Sequence, residues 1–355
     1  MNLPQWLNAE THQENRYWFR GPVGLEQLLG EEIREDLPVD QLYISHRNVF
    51  VALNKEITID ERSLRAIRTA DDVYRYLGCC YGIDRTRPGL ENLTNYFQKV
   101  IIPVLSQSDS HPFMRITLSF VGRRNYSRYF VEDKLNALLS DHTSFTPLNN
   151  EAKAAKQAGE LRLRCHIEDE TAFWGLGLDD TPLHRRSWRH LRYDGQLHTP
   201  VAATMARALN AGNASLILDP FCGSGTILIE SALKYPDHQH IGFDISEEAI
   251  GIAQQSAALA KVSVDFVLQD TLISGPPSKP FLLLSNPPWD EKHEIGERQM
   301  EVFIQRIAQL IQASAGGGLL LPEAMILQLD RQSSSTLQRL AQTRIRGKMA
   351  WLIKW

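Results

Sequence analysis

The chain has 355 residues, a length suited to two or three domains, and its 43% hydrophobic and 23% charged residues match a globular protein with a full core. The net charge is −4 and is spread evenly: residues 1–200 carry 25 Lys and Arg against 27 Asp and Glu, and residues 201–355 carry 13 against 15. No whole-protein field attracts nucleic acid, so any RNA contact must come from local patches. Cys79, Cys80, Cys165 and Cys222 lack metal-ligand spacing, which predicts no metal site and a reducing, cytoplasmic setting. Residues 1–14 have no apolar core of signal-peptide length, and no apolar run is long enough to cross a bilayer.

Taken in order, Tyr17–Arg20 reads as a strand, Leu25–Leu37 as a helix with Leu25, Leu28, Leu29 and Ile33 on one stripe, and Asn48–Leu53 as a strand. Leu64–Leu77 follows with helical spacing, and Cys79–Ile83 with that of a strand. This mixture over residues 15–85 predicts a small α+β module of ferredoxin type. A second module is expected over residues 86–183. Its elements are a helix at Leu93–Val104, a strand at Phe113–Phe120, a helix at Val131–Leu139, and strands at Leu161–Ile167 and Ala172–Leu178. Two stretches interleave cations with aromatics or imidazoles, 123–129 (Arg123, Arg124, Tyr126, Arg128, Tyr129) and 184–190 (Arg185, Arg186, Trp188, Arg189). Such clusters suit phosphates and stacked bases.

From residue 184 to 355 the pattern is that of an α/β sheet. Ser215–Leu218 is an apolar run ending on Asp219, followed by the turn Pro220-Phe221-Cys222-Gly223-Ser224-Gly225 and a helix from Thr226 to Leu233. His240–Phe243 ends on Asp244, 25 positions after Asp219, and Val264–Gln269 ends on Asp270, 26 positions later. A fourth strand, Phe281–Leu284, runs into Ser285-Asn286-Pro287-Pro288-Trp289. Each strand end thus carries a polar group, and in open α/β sheets that rim is where ligands lie. The glycine turn lacks both the G-x-G-x-x-G order that holds a pyrophosphate and the Lys of a P-loop. An ionised carboxylate offers acceptors only, which suits a ribose diol and an amino group better than a phosphate. Helices are expected at Gly296–Ala315 and Ser333–Thr343, a strand at Leu319–Leu321, and a last strand or hairpin at Ile345–Trp355 broken at Gly347.

At these residues the chain resembles the S-adenosylmethionine-dependent methyltransferases. The resemblance implies a Rossmann-like sheet and a cofactor held by Asp219, Pro220, Phe221, Gly223, Gly225, Thr226, Asp244, Ile245, Gln269, Asp270 and Asn286. Asp219, Gly223 and Gly225 would line its methionine end, Asp244 its ribose and Asp270 its adenine. Asn286-Pro287-Pro288-Trp289 matches the N-P-P-aromatic motif of enzymes that methylate amino groups. There Asn286 and the Pro287 carbonyl accept the amine's N–H bonds, Pro288 stiffens the loop and Trp289 stacks on the base.

The module order, with Leu183-His184-Arg185-Arg186-Ser187-Trp188-Arg189 at the junction, resembles the THUMP-containing methyltransferases that modify the guanine amine of tRNA and 23S rRNA. The likeness implies RNA contacts at Arg123, Arg124, Arg128, Arg185, Arg186 and Arg189. One departure stands beside the motif: relatives continue with Gly and then Arg, whereas Asp290-Glu291-Lys292-His293 follows here. DNA adenine and protein glutamine methyltransferases share the motif, and a non-catalytic RNA-binding protein could retain the fold, so these readings stay open.

Overall fold

The computed structural model describes residues 3–8, 15–106, 112–148, 159–209, 215–289, 297–333 and 335–355, with the backbone alone for 297–299. In the N-terminal half the elements are β1 (Arg16–Arg20), α1 (Glu26–Asp36), β2 (Val39–Ser45), β3 (Asn48–Leu53), α2 (Glu61–Arg65), β4 (Asp72–Cys80) and α3 (Leu90–Tyr96). After a π-helical turn come α4 (Ile102–Leu105), β5 (Phe113–Phe120), α5 (Arg128–His142), β6 (Thr146–Pro147), β7 (Glu160–Glu168) and β8 (Thr171–Gly177). They form one eight-stranded sheet, ordered β2-β3-β1-β4-β8-β7-β5-β6. The antiparallel pairing of β4 with β8 carries that sheet unbroken across the two expected modules.

The C-terminal half contains α6 (Thr199–Ala208), β9 (Leu216–Asp219), α7 (Thr226–Lys234), β10 (Gln239–Asp244), α8 (Glu247–Ala260), β11 (Asp265–Leu268) and β12 (Phe281–Ser285). It closes with α9 (Glu297–Ala313), β13 (Gly317–Leu321), α10 (Glu323–Gln332), β14 (Gln338–Ile345) and β15 (Lys348–Lys354). The seven strands are ordered β11-β10-β9-β12-β13-β15-β14; the first five are parallel, and β15 is antiparallel to both β13 and β14. The strand order reverses between β9 and β12, the switch point where open α/β sheets leave a crevice. Leu216, Ile217, Leu218 and Phe281–Leu284 are buried on both faces, as a central parallel strand requires.

Two expected helices are corrected. The spacing over Leu64–Leu77 looked helical, yet only Glu61–Arg65 is helix and Asp72–Cys80 is a strand. Strands on both sides decide this: β4 pairs with β1 and with β8, and its alternate residues enter opposite cores, Tyr74 and Tyr76 on one side, Val73 and Leu77 on the other. Ser333–Thr343 is likewise not a helix. The helix lies earlier, at Glu323–Gln332, and Gln338–Ile345 pairs with β15 as an edge strand. β2, polar and half exposed, went unread in the sequence.

The halves meet through a buried ionic seam. The Glu230 carboxylate on α7 is fully buried and accepts from Arg68 Nε at 2.6 Å and Arg186 Nε at 2.9 Å. Arg186 also donates to the carbonyls of Leu183 and Arg68, both at 2.6 Å. Asp71 bonds His198 Nε2 at 2.6 Å and Arg47 Nη2 at 2.9 Å. Leu25 and Leu28 of the N-terminal half pack into the core built on Ile217, Leu228 and Leu320. At Gly24 (φ +80°) a Cβ would fall 1.8 Å from the Gln342 carbonyl oxygen, so only glycine permits this approach of the first turn to β14.

Candidate active site

β9 ends in the middle of the sheet, and its last residue sets the electrostatics. Asp219 is buried; its Oδ1 accepts from Ser285 Oγ at 2.5 Å and from the Phe221 N–H at 3.1 Å, while Oδ2 is buried with no partner among the described residues. Burial pushes its pKa from 3.8 up to about 7; the two hydrogen bonds hold it back and the Asp244 charge adds to the rise. A buried carboxylate with one oxygen free is an acceptor prepared for a cationic donor.

The turn after it is held by the neighbouring strand. Cys222 N–H donates to the Phe243 carbonyl at 2.9 Å, and Gly223 N–H to Asp244 Oδ2 at 2.8 Å. Asp244 Oδ1 accepts from Ser246 N–H at 2.9 Å, so this carboxylate ties the glycine turn to the start of α8. The two glycines have different reasons. Gly223 (φ +50°) faces open space, and a Cβ there would meet nothing within 4 Å. Gly225 (φ +77°) is needed by the fold itself: a Cβ would lie 2.6 Å from the Phe266 ring and 3.0 Å from Ala253 Cβ. Gly223 thus leaves open space beside the turn, while Gly225 answers to packing within the fold. Cys222, buried against Gly242, is a space-filling residue whose thiol burial pushes well above its ordinary pKa.

A cleft opens over this turn. Phe221, Gly223, Thr226 and Asn286 from the predicted set line it, together with Tyr193, Asp194, Gly195, Gln196 and Leu197. That last segment was missed as site-forming. Its only local signal is the Tyr-Asp-Gly turn, with Gly195 at φ +87°. Arg346 Nη2 to Asp194 Oδ1 at 2.8 Å and Arg189 to Gln196 Oε1 at 3.3 Å hold it. Pro220 and Gln269 lie together in a separate, tightly packed spot beside Arg306. Asp270 closes a local turn by accepting from Leu272 N–H at 2.8 Å, and Ile245, beyond β10, is 74% exposed.

At the end of β12, Asn286 and Trp289 are half-buried, Pro287 is buried and Pro288 exposed. Trp289 Nε1–H donates to Asn286 Oδ1 at 3.1 Å, which fixes the amide, and the indole packs against both core clusters of this half. Asp290, Glu291, Lys292 and His293 lie outside the described residues.

The predicted RNA contacts divide by burial. Arg123, Arg128 and Arg185 are exposed. Arg128 lies 4.6 Å over the Tyr129 ring and Arg87 4.9 Å over Phe130, which joins these aromatics into one patch. Arg124 is instead an internal brace, donating to the carbonyls of Ile83, Asp84 and Asp169 at 3.0, 2.9 and 2.5 Å. Arg186 has its donors taken by the seam with Glu230, and Arg189 is half-buried on Gln196. Among the described residues no cluster of three or more His, Cys, Asp or Glu is arranged to hold a metal ion, and no helix is long and apolar enough to cross a membrane.

Residues 186–344 match the family described as RMKL-like, methyltransferase domain. The U6 snRNA (guanine-N(2))-methyltransferase THUMPD2 of Mus musculus is 26% identical over 174 residues, 48% of this chain and 32% of that protein. The tRNA (guanine(6)-N2)-methyltransferase of Thermus thermophilus is 33% identical over 104 residues, 29% of this chain and 31% of that one. The matches thus span about a third of the length of these relatives. Among solved structures, TrmN from Thermus thermophilus superposes with a TM-score of 0.73 at 20% identity, covering 96% of this chain and 98% of that one. SMU.472, complexed with SAH, gives 0.70 at 13% identity, covering 96% and 97%. The fold is therefore that of these methyltransferase neighbours over nearly the whole chain.

Proposed function

We propose that this chain is an S-adenosylmethionine-dependent methyltransferase that modifies the exocyclic amine of guanine in tRNA or rRNA. The observation that carries the reading is the meeting of Asn286 with the glycine turn in one cleft at the switch point of the sheet. The fit to the cofactor rests on Asp219: its buried Oδ2, unpartnered among the described residues, suits the ammonium of the methionine moiety. Asp244 and Asp270 stand at the next two strand ends, where the ribose hydroxyls and the adenine amine would need acceptors. When bound, the cofactor supplies an electrophilic methyl group on a sulfonium.

The chain's own residues would then position the amine. Asn286 Oδ1 has a second lone pair beside the one taken by Trp289 Nε1–H. With the Pro287 carbonyl it accepts the amine's N–H bonds, so the nitrogen lone pair points towards the methyl group. Trp289, held by that bond and by core contacts, presents a stacking face for a base turned out of its helix. The names of the relatives favour guanine N2 and a structured RNA. In this reading residues 86–183 act as a THUMP-like RNA-binding module, with Arg123, Arg128 and Arg185 as surface contacts, and the enzyme works in the cytoplasm.

The test is transfer of labelled methyl from S-adenosylmethionine to total tRNA and, separately, rRNA from cells lacking the protein, with nucleoside identification. Labelled N2-methylguanosine in one pool is the expected result. Asn286→Ala should keep cofactor affinity and lower turnover by about 10²–10³-fold, the usual cost of losing an orienting polar group. Label on adenine or on protein, or loss of cofactor binding in Asn286→Ala, would overturn the assignment.

A further inference from the structure

The eight-stranded sheet has unlike faces. Helices α1, α2, α3 and α5 cover one through apolar contacts. On the other, side chains from β1, β3, β5 and β7 gather cations and hydrogen-bond donors at one spot. Gly175 of β8 makes this possible: a Cβ there would lie 2.8 Å from Trp18 Cε3, so the bare backbone lets Trp18 reach across towards His166, ring centroids 6.4 Å apart. The Arg20 guanidinium lies 5.8 Å over the Trp18 ring. Arg164 Nη2 donates to Ser119 Oγ at 2.9 Å, and Ser119 Oγ is 2.7 Å from His166 Nδ1.

The bonding here is lopsided. Asn48 Oδ1 accepts from both Trp18 Nε1 at 3.1 Å and Arg20 Nη1 at 2.8 Å, one neutral oxygen for two donors. Arg can only donate, so Ser119 Oγ accepts from Arg164; in the tautomer where it gives its proton to His166 Nδ1, Nε2 of the neutral ring carries the N–H. That Nε2 and Arg164 Nε are buried with no partner among the described residues. Arg20 and His166 are 4% and 2% exposed. Burial first, then the charges of Arg20, Arg164, Arg47 and His46, hold His166 well below its usual pKa, and burial, Arg164 and Arg47 do the same to Arg20.

The acids on this face are engaged elsewhere: Asp72 with Arg162, Glu160 with Arg115 at 2.9 Å, and Glu168 with Ser45 Oγ at 2.8 Å and Asn48 Nδ2 at 3.4 Å. Among the described residues neither Arg20 nor Arg164 forms an ion pair. One buried and one half-buried arginine thus stand beside two unpartnered nitrogens with no carboxylate paired to either, since Asp71 acts on Arg20 only through space and Glu168 reaches it only through Asn48; such an arrangement costs stability unless an anion completes it.

We propose that Arg20, Arg164, Ser119 and His166 form a binding site for a phosphate-class oxyanion. Arg164 Nε is its unfilled donor, joined by His166 Nε2 in the tautomer that protonates it, Arg20 supplies the second charge, and half-buried Arg164 and Ser119 give access from the surface. The anion is either inorganic phosphate or a backbone phosphate of RNA; the latter source rests on the methyl-transfer reading above.

The test uses the full chain. Thermal unfolding is followed in inorganic phosphate and in chloride at equal ionic strength, for the wild type, Arg164→Gln, Ser119→Ala and the control Arg115→Gln. The wild type and the control should show a saturable rise of the midpoint specific to phosphate. Arg164→Gln should lose that rise while unfolding no earlier than the wild type in chloride, because it removes an uncompensated charge; a merely structural arginine would lower the chloride midpoint. Ser119→Ala should weaken the phosphate response and keeps the question open to test if Arg164→Gln does not fold. Binding of total small RNA across a salt series supplies the second readout, with the log–log slope falling by about 0.7–0.9 in Arg164→Gln if the anion is a backbone phosphate. A phosphate response with an unchanged slope assigns the site to the free anion. Absence of a phosphate response in the wild type, together with an unchanged slope in the variant, would overturn the site. The phosphate readout needs no methyl transfer, so failure of the enzymatic reading is seen separately.

Discussion

The two halves handle buried charge in opposite ways. The C-terminal rim concentrates carboxylates: Asp219 buried beneath the turn, with Asp244 and Asp270 at the next strand ends. The N-terminal sheet gathers cations instead, buried Arg20 and half-buried Arg164 beside a neutral His166. Composition hides this, since each half carries nearly equal numbers of acids and bases. The difference teaches what each half would accept. An acidic, phosphate-averse rim suits a cofactor with an ammonium and a sulfonium, and a basic sheet face suits an anion. At the seam the two signs meet between the halves, where Glu230 takes Arg68 of the N-terminal half and Arg186 of the junction.

That seam is where the comparison breaks most severely. Glu230→Gln keeps the shape of the side chain but leaves Arg186, whose side chain is 8% exposed, without its counter-charge. Removing one partner of a buried pair costs about 3–5 kcal/mol. The expected outcome is a denaturant midpoint lowered by that amount, together with weaker cofactor binding, because Glu230 lies one turn past Thr226 on the helix that begins at the glycine turn. An unchanged midpoint would mean that the halves are held by the Leu25 and Leu28 contacts and that the seam is incidental.

The acidic rim can be read through pH. Asp219 has a folded pKa raised from 3.8 to about 7, so its contribution to stability is fully present below its unfolded value and is lost as pH rises through 7. In the absence of cofactor, Asp219→Asn should therefore unfold at a higher temperature than the wild type at pH 8 and at nearly the same temperature at pH 3.5–4. Cofactor binding runs the other way. An ammonium needs the ionised carboxylate, so the wild-type affinity should be about tenfold weaker at pH 6 than at pH 8 and level above that. Calorimetry at the two pH values checks this; a flat profile would remove Asp219 from the ammonium site.

How much of this was legible depended on how local the determinant was. The acid at the end of β9, the glycine turn and Asn286-Pro287-Pro288-Trp289 are short contiguous signals, and their chemistry is set within a few residues. The contribution of Tyr193–Leu197 to the cleft is not local; it follows from how the segment before α6 folds back over a turn some thirty residues later. Gly225 shows the same limit: its residue type was visible, but the Phe266 ring that forbids a Cβ comes from β11. Leu64–Leu77 spaces its apolar residues by three and four, as a helix does, and only the pairing of β4 with β1 and β8 overrides that pattern. Likewise Arg186 looks like a surface cation in a run of Arg, Ser and Trp, and Glu230, 44 residues on, makes it internal.

The smallest expected effect sharpens the contrast on the basic side. Arg124 and Arg128 stand four residues apart in the stretch that the sequence marked for RNA, yet the structure gives them different work. Arg124→Ala strips three backbone carbonyls of their donor and should cost about 1–3 kcal/mol of stability, so any loss of RNA binding would follow from the fold. Arg128 is exposed on the Tyr129 ring and donates to its hydroxyl at 2.7 Å. Arg128→Ala should leave stability within about 0.5 kcal/mol and lower the RNA salt slope by less than one phosphate contact, about 0.7–0.9. If instead the slope is unchanged while Arg164→Gln lowers it, the anion-binding surface is the buried cluster on the sheet face, and the exposed aromatic patch is a solvated surface.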